Sequence, residues 1–376
     1  MTGTDAPDRL ASFDGLRAIM TVLVVFHHAA LTYGAIGGWF YRERPPGGDW
    51  QSVVLIIFCT VNQAYFMGLF FLLAGYFAPA SLARKGRARF ILDRTIRLGI
   101  PLLVFGLILA PLAIVIAQSV HGYDAASVLQ ALWNRRQFEV GPLWFAQALL
   151  IFSIAAAAFP HGSFHGPHGT QSRNVPPAPR LLALAIATGA LAFALRLRWP
   201  IGQELYGMQL GYFASYVVLF ALGWAASSSR SLERIPPDTA RTLRRVAWLT
   251  MPTLLPLAVL GATFPVFAQP SAGGWTIPST MYAFWEPLVA AGIITAWLQF
   301  AHARLASPPL WLATLSRRAY CIFVIHPPVL VALAVGMRTV TIAPLLKFLL
   351  LGALGTYACY ALAGLILRSG VARRVL

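Results

Sequence analysis

Residues 16–36 read LRAIMTVLVVFHHAALTYGAI, and the fold turns on this stretch. Its one formal charge, Arg17, sits next to the start. A helix of about 21 residues rises roughly 30 Å, the thickness of a bilayer's hydrocarbon core. Similar runs recur near 52–80, 98–120, 142–160, 181–197, 209–226, 246–268, 280–302, 316–336 and 343–367. The second is overlong, with a break or tilt expected near Gly68 or Gly75, and the fifth is short. The expectation is an all-α polytopic membrane bundle of about ten helices forming a single integral-membrane domain over 1–376.

Composition agrees. Of the 376 residues 58% are hydrophobic and 11% charged, against roughly 25% charged in soluble domains. Mean hydropathy is +0.68. The net charge of +17 on a soluble chain would suggest nucleic acid. Here the basic residues fall between apolar runs, which points to loops facing anionic headgroups or an anionic substrate, with no nucleic acid. With ten spans and the N-terminus inside, 21 of the 29 basic residues lie on the cytoplasmic side and 8 outside, so N-in, C-in is expected. Residues Met1–Asp14 are polar and mildly acidic, and no small-residue cleavage site follows the first run, so no signal peptide is expected.

Residues 161–180, rich in Gly, Pro, Ser and His, read as a flexible cytoplasmic loop. His161, His165 and His168 lie there without acidic or cysteine partners and are read as solvated, not as metal ligands. Cys59, Cys321 and Cys359 all fall in apolar runs and read as buried small hydrophobes. No metal site is expected.

Polar groups in hydrocarbon are costly and call for a reason. His28 follows Arg17 by eleven residues, which returns to nearly the same helix face about 16 Å further along the axis. One face then carries a cation near the cytoplasm and an imidazole deep in the membrane. An anionic carrier held by the first would present its far end to the second; otherwise Arg17 snorkels and His28 is packing. His27 points about 100° away and reads as packing. Arg94 and Arg97, helix-spaced at the mouth of the third span, suit phosphate recognition. The rest of the basic loop from Arg84 reads as positive-inside anchoring.

Glu286 is the one acidic residue well inside an apolar run. Its depth below the outer face, about 10 Å, is close to the roughly 12 Å of His28. It would either orient His28 and hold its proton, or pair with another polar group to settle a helix contact. His326 precedes Pro327-Pro328, where the helix must free carbonyls, and it would line the same cavity or serve structure. Trp144 and Gln147, like Asn62 and Gln63, would shape the tunnel or pack.

Asp14-Gly15-Leu16-Arg17-Ala18, with His28 ending the apolar stretch behind it, resembles the opening signature of the membrane acyltransferase 3 family. That signature is an Arg, ten residues, then a His. Phe70-Phe71-Leu72-Leu73-Ala74-Gly75-Tyr76-Phe77, Arg94-Thr95-Ile96-Arg97-Leu98 running to Pro101, Gly141-Pro142-Leu143-Trp144-Phe145 and Tyr320-Cys321-Ile322-Phe323-Val324-Ile325-His326-Pro327-Pro328 follow in family order. The Ala-Gly-Tyr-Phe and Ile-His-Pro-Pro versions look most like the branch containing glucans biosynthesis protein C. Ala74 stands where many members have serine, and no esterase-like domain is expected after the last span.

The resemblance implies O-acyl transfer in the inner membrane from cytoplasmic acyl-CoA, as co-substrate, to a hydroxyl of an envelope glycan or related acceptor. It makes His28 the catalytic histidine and Arg17 a donor-site arginine. No tightly bound cofactor is expected. Histidine chemistry fits, because a hydroxyl needs a base that titrates near neutrality; a covalent acyl-histidine is the alternative route. A transporter or flippase for an anionic or glycolipid substrate would also use intramembrane His, Glu and Arg. The inverted repeat such proteins often carry is not visible here. A membrane scaffold would leave His28 and Glu286 without a task.

Overall fold

The computed structural model describes residues 5–136, 138–158, 175–256, 260 and 264–376. Among these its regular structure is helical and it has no strand, as the apolar runs require: with no water in the bilayer, each spanning segment must satisfy its own backbone. The helices are α1 (Asp5–Thr32), α2 (Trp50–Lys85), α3 (Arg87–Ser119), α4 (Ala125–Asn134), α5 (Gly141–Ala158) and α6 (Ala178–Arg198). They continue with α7 (Leu210–Ser229), α8 (Pro237–Thr250), α9 (Ile277–Arg304), α10 (Leu310–Gly336), α11 (Pro344–Ile366) and the short α12 (Gly370–Val375).

Nine of the helices, all but α4, α8 and α12, are long and apolar enough to cross a membrane among the described residues. The expected short fifth run is a full helix of 21 residues, α6. The run expected at 246–268 includes residues 257–259 and 261–263, which lie outside the described residues, as do His161, His165 and His168. Its described beginning is the end of α8 and a short 3₁₀ turn.

Two expectations are corrected. Helix α2 is continuous for 36 residues and does not break at Gly68 or Gly75. The glycine at 75 serves contact instead: a Cβ there would collide with the Phe220 carbonyl oxygen, and one at Gly223 would collide with the Leu72 carbonyl oxygen. The two backbones cross reciprocally at small residues, which is how membrane helices gain packing without a hydrophobic driving force. The basic stretch from Arg84 to Arg97 is also not a loop. Only Gly86 separates α2 from α3, so Arg94 and Arg97 stand on a helix.

Helix α3 carries two π turns, Thr95–Gly99 and Phe105–Leu109, each closing two residues before a proline, Pro101 and Pro111. Proline offers no N–H to the carbonyl four residues back. For Pro101 that carbonyl is Arg97's, and the Tyr320 hydroxyl donates to it at 2.7 Å.

The chain groups into two compact units, interleaved in sequence. The first comprises residues 1–13, 61–90 and 153–306, and the second 14–60, 91–152 and 307–376. In the first, α6, α8 and α9 pack together and α2 crosses α7. In the second, α10 packs on α11 and α3, and the segment 33–49 folds back on the end of α1.

Candidate active site

The second unit gathers His28, His326 and Trp39. Helix α1 holds His28 half-buried, and α10 holds His326 with no exposure. Pro327 removes the N–H that would serve the Phe323 carbonyl. Nδ1 of His326 takes that carbonyl at 2.7 Å. A carbonyl only accepts, so Nδ1 carries the proton and Nε2 of His326 is left with its lone pair. Nε2 faces Nδ1 of His28 at 3.1 Å. His28 Nδ1 also lies 2.9 Å from the Val24 carbonyl, a second pure acceptor. Both neighbours therefore assign the His28 proton to Nδ1. Its Nε2 is the free, basic nitrogen, and it makes no hydrogen bond among the described residues. A carbonyl freed by proline thus fixes, through two rings, which nitrogen of His28 can act as a base.

Trp39 closes one side. Its ring stacks on His28 with centroids 4.3 Å apart and lies 11° from the plane of His326 at 6.2 Å. Its Nε1–H is buried and has no hydrogen-bond partner among the described residues. The loop that carries it is pinned. Glu43 and Arg44 N–H groups donate to the Thr32 carbonyl at 3.0 and 3.2 Å, and Arg42 donates to the carbonyls of Ala35 and Gly37. Lys347, nearly buried, pairs with Glu43 and donates to the Met337 carbonyl at 3.2 Å. Burial first, and the Glu43 carboxylate second, push the Tyr33 and Tyr41 hydroxyls above the ordinary phenol range, so both remain O–H donors.

Helix α1 also carries Arg17, 34% exposed, bonded to Asp14 at 2.9 Å. Arg94 is within electrostatic reach of Arg17, Arg97 and Asp93. Arg97 is exposed and 3.7 Å from Asp93. Three guanidinium groups from α1 and α3 are thus brought together beside Asp14 and Asp93. Trp144 follows the 3₁₀ turn that opens α5 and lies beside Phe145, and Phe145 packs edge-on against Phe323, whose carbonyl holds His326. His27 is buried, its ring edge-on to His28 at 5.6 Å, and its carbonyl accepts from Cys59 Sγ.

Glu286 belongs to the first unit, where it has a polar partner. Its carboxylate pairs with Arg196, and both side chains are buried to 1% exposure or less. Arg196 Nε donates to the Gly211 carbonyl at 3.0 Å, and the guanidinium lies 5.5 Å from the Tyr212 ring centroid and 5.2 Å from that of Tyr282. The orienting partner of His28 is His326.

Sequence reasoning missed Trp39 and Arg196. For Trp39 a signal existed, an aromatic in the loop that follows the His28 span at once. Arg196 read as a loop cation because it ends an apolar run.

These features define a multi-pass membrane protein with an imidazole equipped for proton transfer. The family model described as acyltransferase domain, that of the acyltransferase 3 family, matches residues 10–364, and the chain belongs to this family. No curated protein and no solved structure matches it. It is a membrane acyltransferase.

Proposed function

We propose that the protein moves an acyl group, acetyl or succinyl, from cytoplasmic acyl-CoA to a hydroxyl of an envelope glycan or a related acceptor. Within the family, its nearest functional kin would be the branch containing glucans biosynthesis protein C. The proposal sets it in the inner membrane with both termini inside. The observation that carries this reading is the directed chain from the Phe323 carbonyl through His326 to His28, which leaves Nε2 of His28 as a free base.

In the direct route the acceptor oxygen attacks the thioester carbonyl carbon while Nε2 of His28 takes the hydroxyl proton. The C–S bond then breaks, and the departing thiolate receives that proton from the imidazolium. His326 Nε2, accepting from Nδ1–H, stabilises the imidazolium that forms in between. The unpartnered Trp39 N–H is a donor available to the carbonyl oxygen as charge develops on it. If Nε2 instead attacks the thioester to give an acyl-histidine, CoA is released in a burst without acceptor. Arg17, Arg94 and Arg97 would hold the phosphates of the CoA nucleotide, which arginine forks suit.

The test is acetyl- and succinyl-CoA binding by the protein in detergent. Saturable binding is expected, weakened about tenfold or more in Arg17→Ala, as loss of one charge-assisted contact implies. Unchanged affinity in the variant overturns the donor-site assignment. No binding of either thioester to folded wild type moves the reading to a transporter.

A further inference from the structure

The first unit contains an apolar groove that the acyl-transfer reading does not use. It is a cavity of about 120 Å³, lined by residues such as Leu181 and Leu184 of α6, Leu222 of α7, Ile235, and Ala291 and Ile294 of α9. One water needs only about 10–15 Å³. Of its four hydroxyl-bearing lining residues, Thr188 and Thr295 donate to their own helices, at the Leu184 and Ala291 carbonyls, and Ser215 and Ser231 are the other two. The rest of the wall is apolar apart from its backbone. Along α9 the lining runs from Pro287 to Leu298 and along α7 from Ser215 to Ala226, each about 16 Å of helix. That is half of the roughly 30 Å hydrocarbon core, the depth of one leaflet.

One end of the groove is basic. It is lined there by Val175, Pro176, Ser231, Leu232 and Ile235. The exposed Arg230 and Arg234 stand next to Ser231 and Ile235 in sequence, the exposed Arg180 precedes the lining Leu181, and Arg244 and Arg245 follow the lining Leu243. The acidic residues in this region are engaged: Glu233 accepts from the Tyr76 hydroxyl at 2.5 Å, and Asp238 pairs with Arg241 at 2.9 Å. Helix α8 buries Ala240, Leu243 and Ala247, the last two beside Gly292 of α9, and its exposed Arg241, Arg244 and Arg245 flank the lining Leu243.

We propose that this groove is a binding site for an anionic phospholipid of the surrounding bilayer, one acyl chain lying between α6, α7 and α9 and the phosphate held by Arg230, Arg234 and Arg180. Chain length and charge complementarity select the occupant. A zwitterionic lipid offers the same chain but adds a cation to a cationic rim.

Native mass spectrometry of the detergent-purified full chain tests it, with phosphatidylglycerol or phosphatidylcholine of identical chains added. Wild type retains one phosphatidylglycerol and binds phosphatidylcholine at least tenfold more weakly. The R230E/R234E double variant loses the preference, and Ala291→Phe, which fills the chain site, loses retained lipid of either kind. A circular-dichroism melt confirms that each variant is folded. Equal retention of the two lipids by wild type overturns the proposal without reference to any variant. So does wild-type retention in a folded Ala291→Phe.

Discussion

Two clusters of polar side chains sit within helices that the sequence marks as apolar, one in each unit, and they are built on opposite plans. Around Glu286 the charges close on each other: Arg196 covers the carboxylate, Gly211 takes the guanidinium's Nε–H, and Tyr212 and Tyr282 flank it. Around His28 the groups point one way, from the Phe323 carbonyl through His326 to a nitrogen with nothing attached. The ion pair balances its charges, although Oε1 of Glu286 and Nη1 of Arg196 have no hydrogen-bond partner among the described residues. The chain around His28 leaves a basic nitrogen and, in Trp39, a donor without a partner among the described residues. Depth in the membrane does not separate the two clusters; whether opposite charges meet does.

The sharpest break in this comparison is His28→Ala. Acyl transfer should fall by about 10²–10⁴, the usual worth of a general base, while the melting temperature in detergent stays near wild type. Transfer at the wild-type rate would remove His28 from the chemistry. The reverse signature is expected at the closed cluster. Glu286→Gln or Arg196→Met strands a buried charge, costing about 3–5 kcal/mol. The variants should melt much earlier yet retain turnover per folded molecule. An R196M/E286L double variant should recover part of the loss, since no charge is left unpaired. A single variant that melts as wild type but does not turn over would place Glu286 back in the chemistry.

Much of this contrast was legible beforehand. The spans follow from apolar run length, and Pro327-Pro328 announced freed carbonyls beside His326. What spacing along one helix cannot show is which partner arrives from another. Equal depth suggested His28 for Glu286, yet depth is one coordinate of three, and the partner came from Arg196. That arginine read as a loop cation because its sequence neighbours are Leu195 and Leu197, then Arg198 and Trp199; only the return of the chain at Gly211 reveals its burial. Lys347 was hidden in the same way by its place near the start of α11. Trp39 lies in a segment without periodicity, and its position depends on backbone bonds back to Thr32. The continuity of α2 through Gly75 escaped notice because a glycine that permits a close crossing looks, in sequence, like one that breaks a helix.

A smaller effect is expected at His326, which acts through His28. His326→Ala leaves Nδ1–H of His28 without its ring acceptor, a loss of about 1–3 kcal/mol that corresponds to roughly 10–100-fold in kcat. KM for the donor should hardly change. His326→Gln keeps a side-chain acceptor, and partial recovery of kcat is the outcome that distinguishes positioning from packing. Equal loss in both variants would make His326 a space-filling residue.

The smallest effect comes from the other freed carbonyl. Pro101 releases Arg97 as Pro327 releases Phe323, and the Tyr320 hydroxyl donates to it. The two sites begin from the same backbone event and differ in what answers it. A phenol that donates only to a carbonyl ends the matter there, whereas an imidazole passes the constraint on through its second nitrogen. Tyr320→Phe should therefore cost about 0.5–1.5 kcal/mol of stability, the net worth of one hydrogen bond, and leave the pH dependence of transfer unchanged. His326→Ala should alter that dependence. If Tyr320→Phe shifts the pH profile as well, the distinction between closed and open hydrogen bonding fails at its simplest comparison.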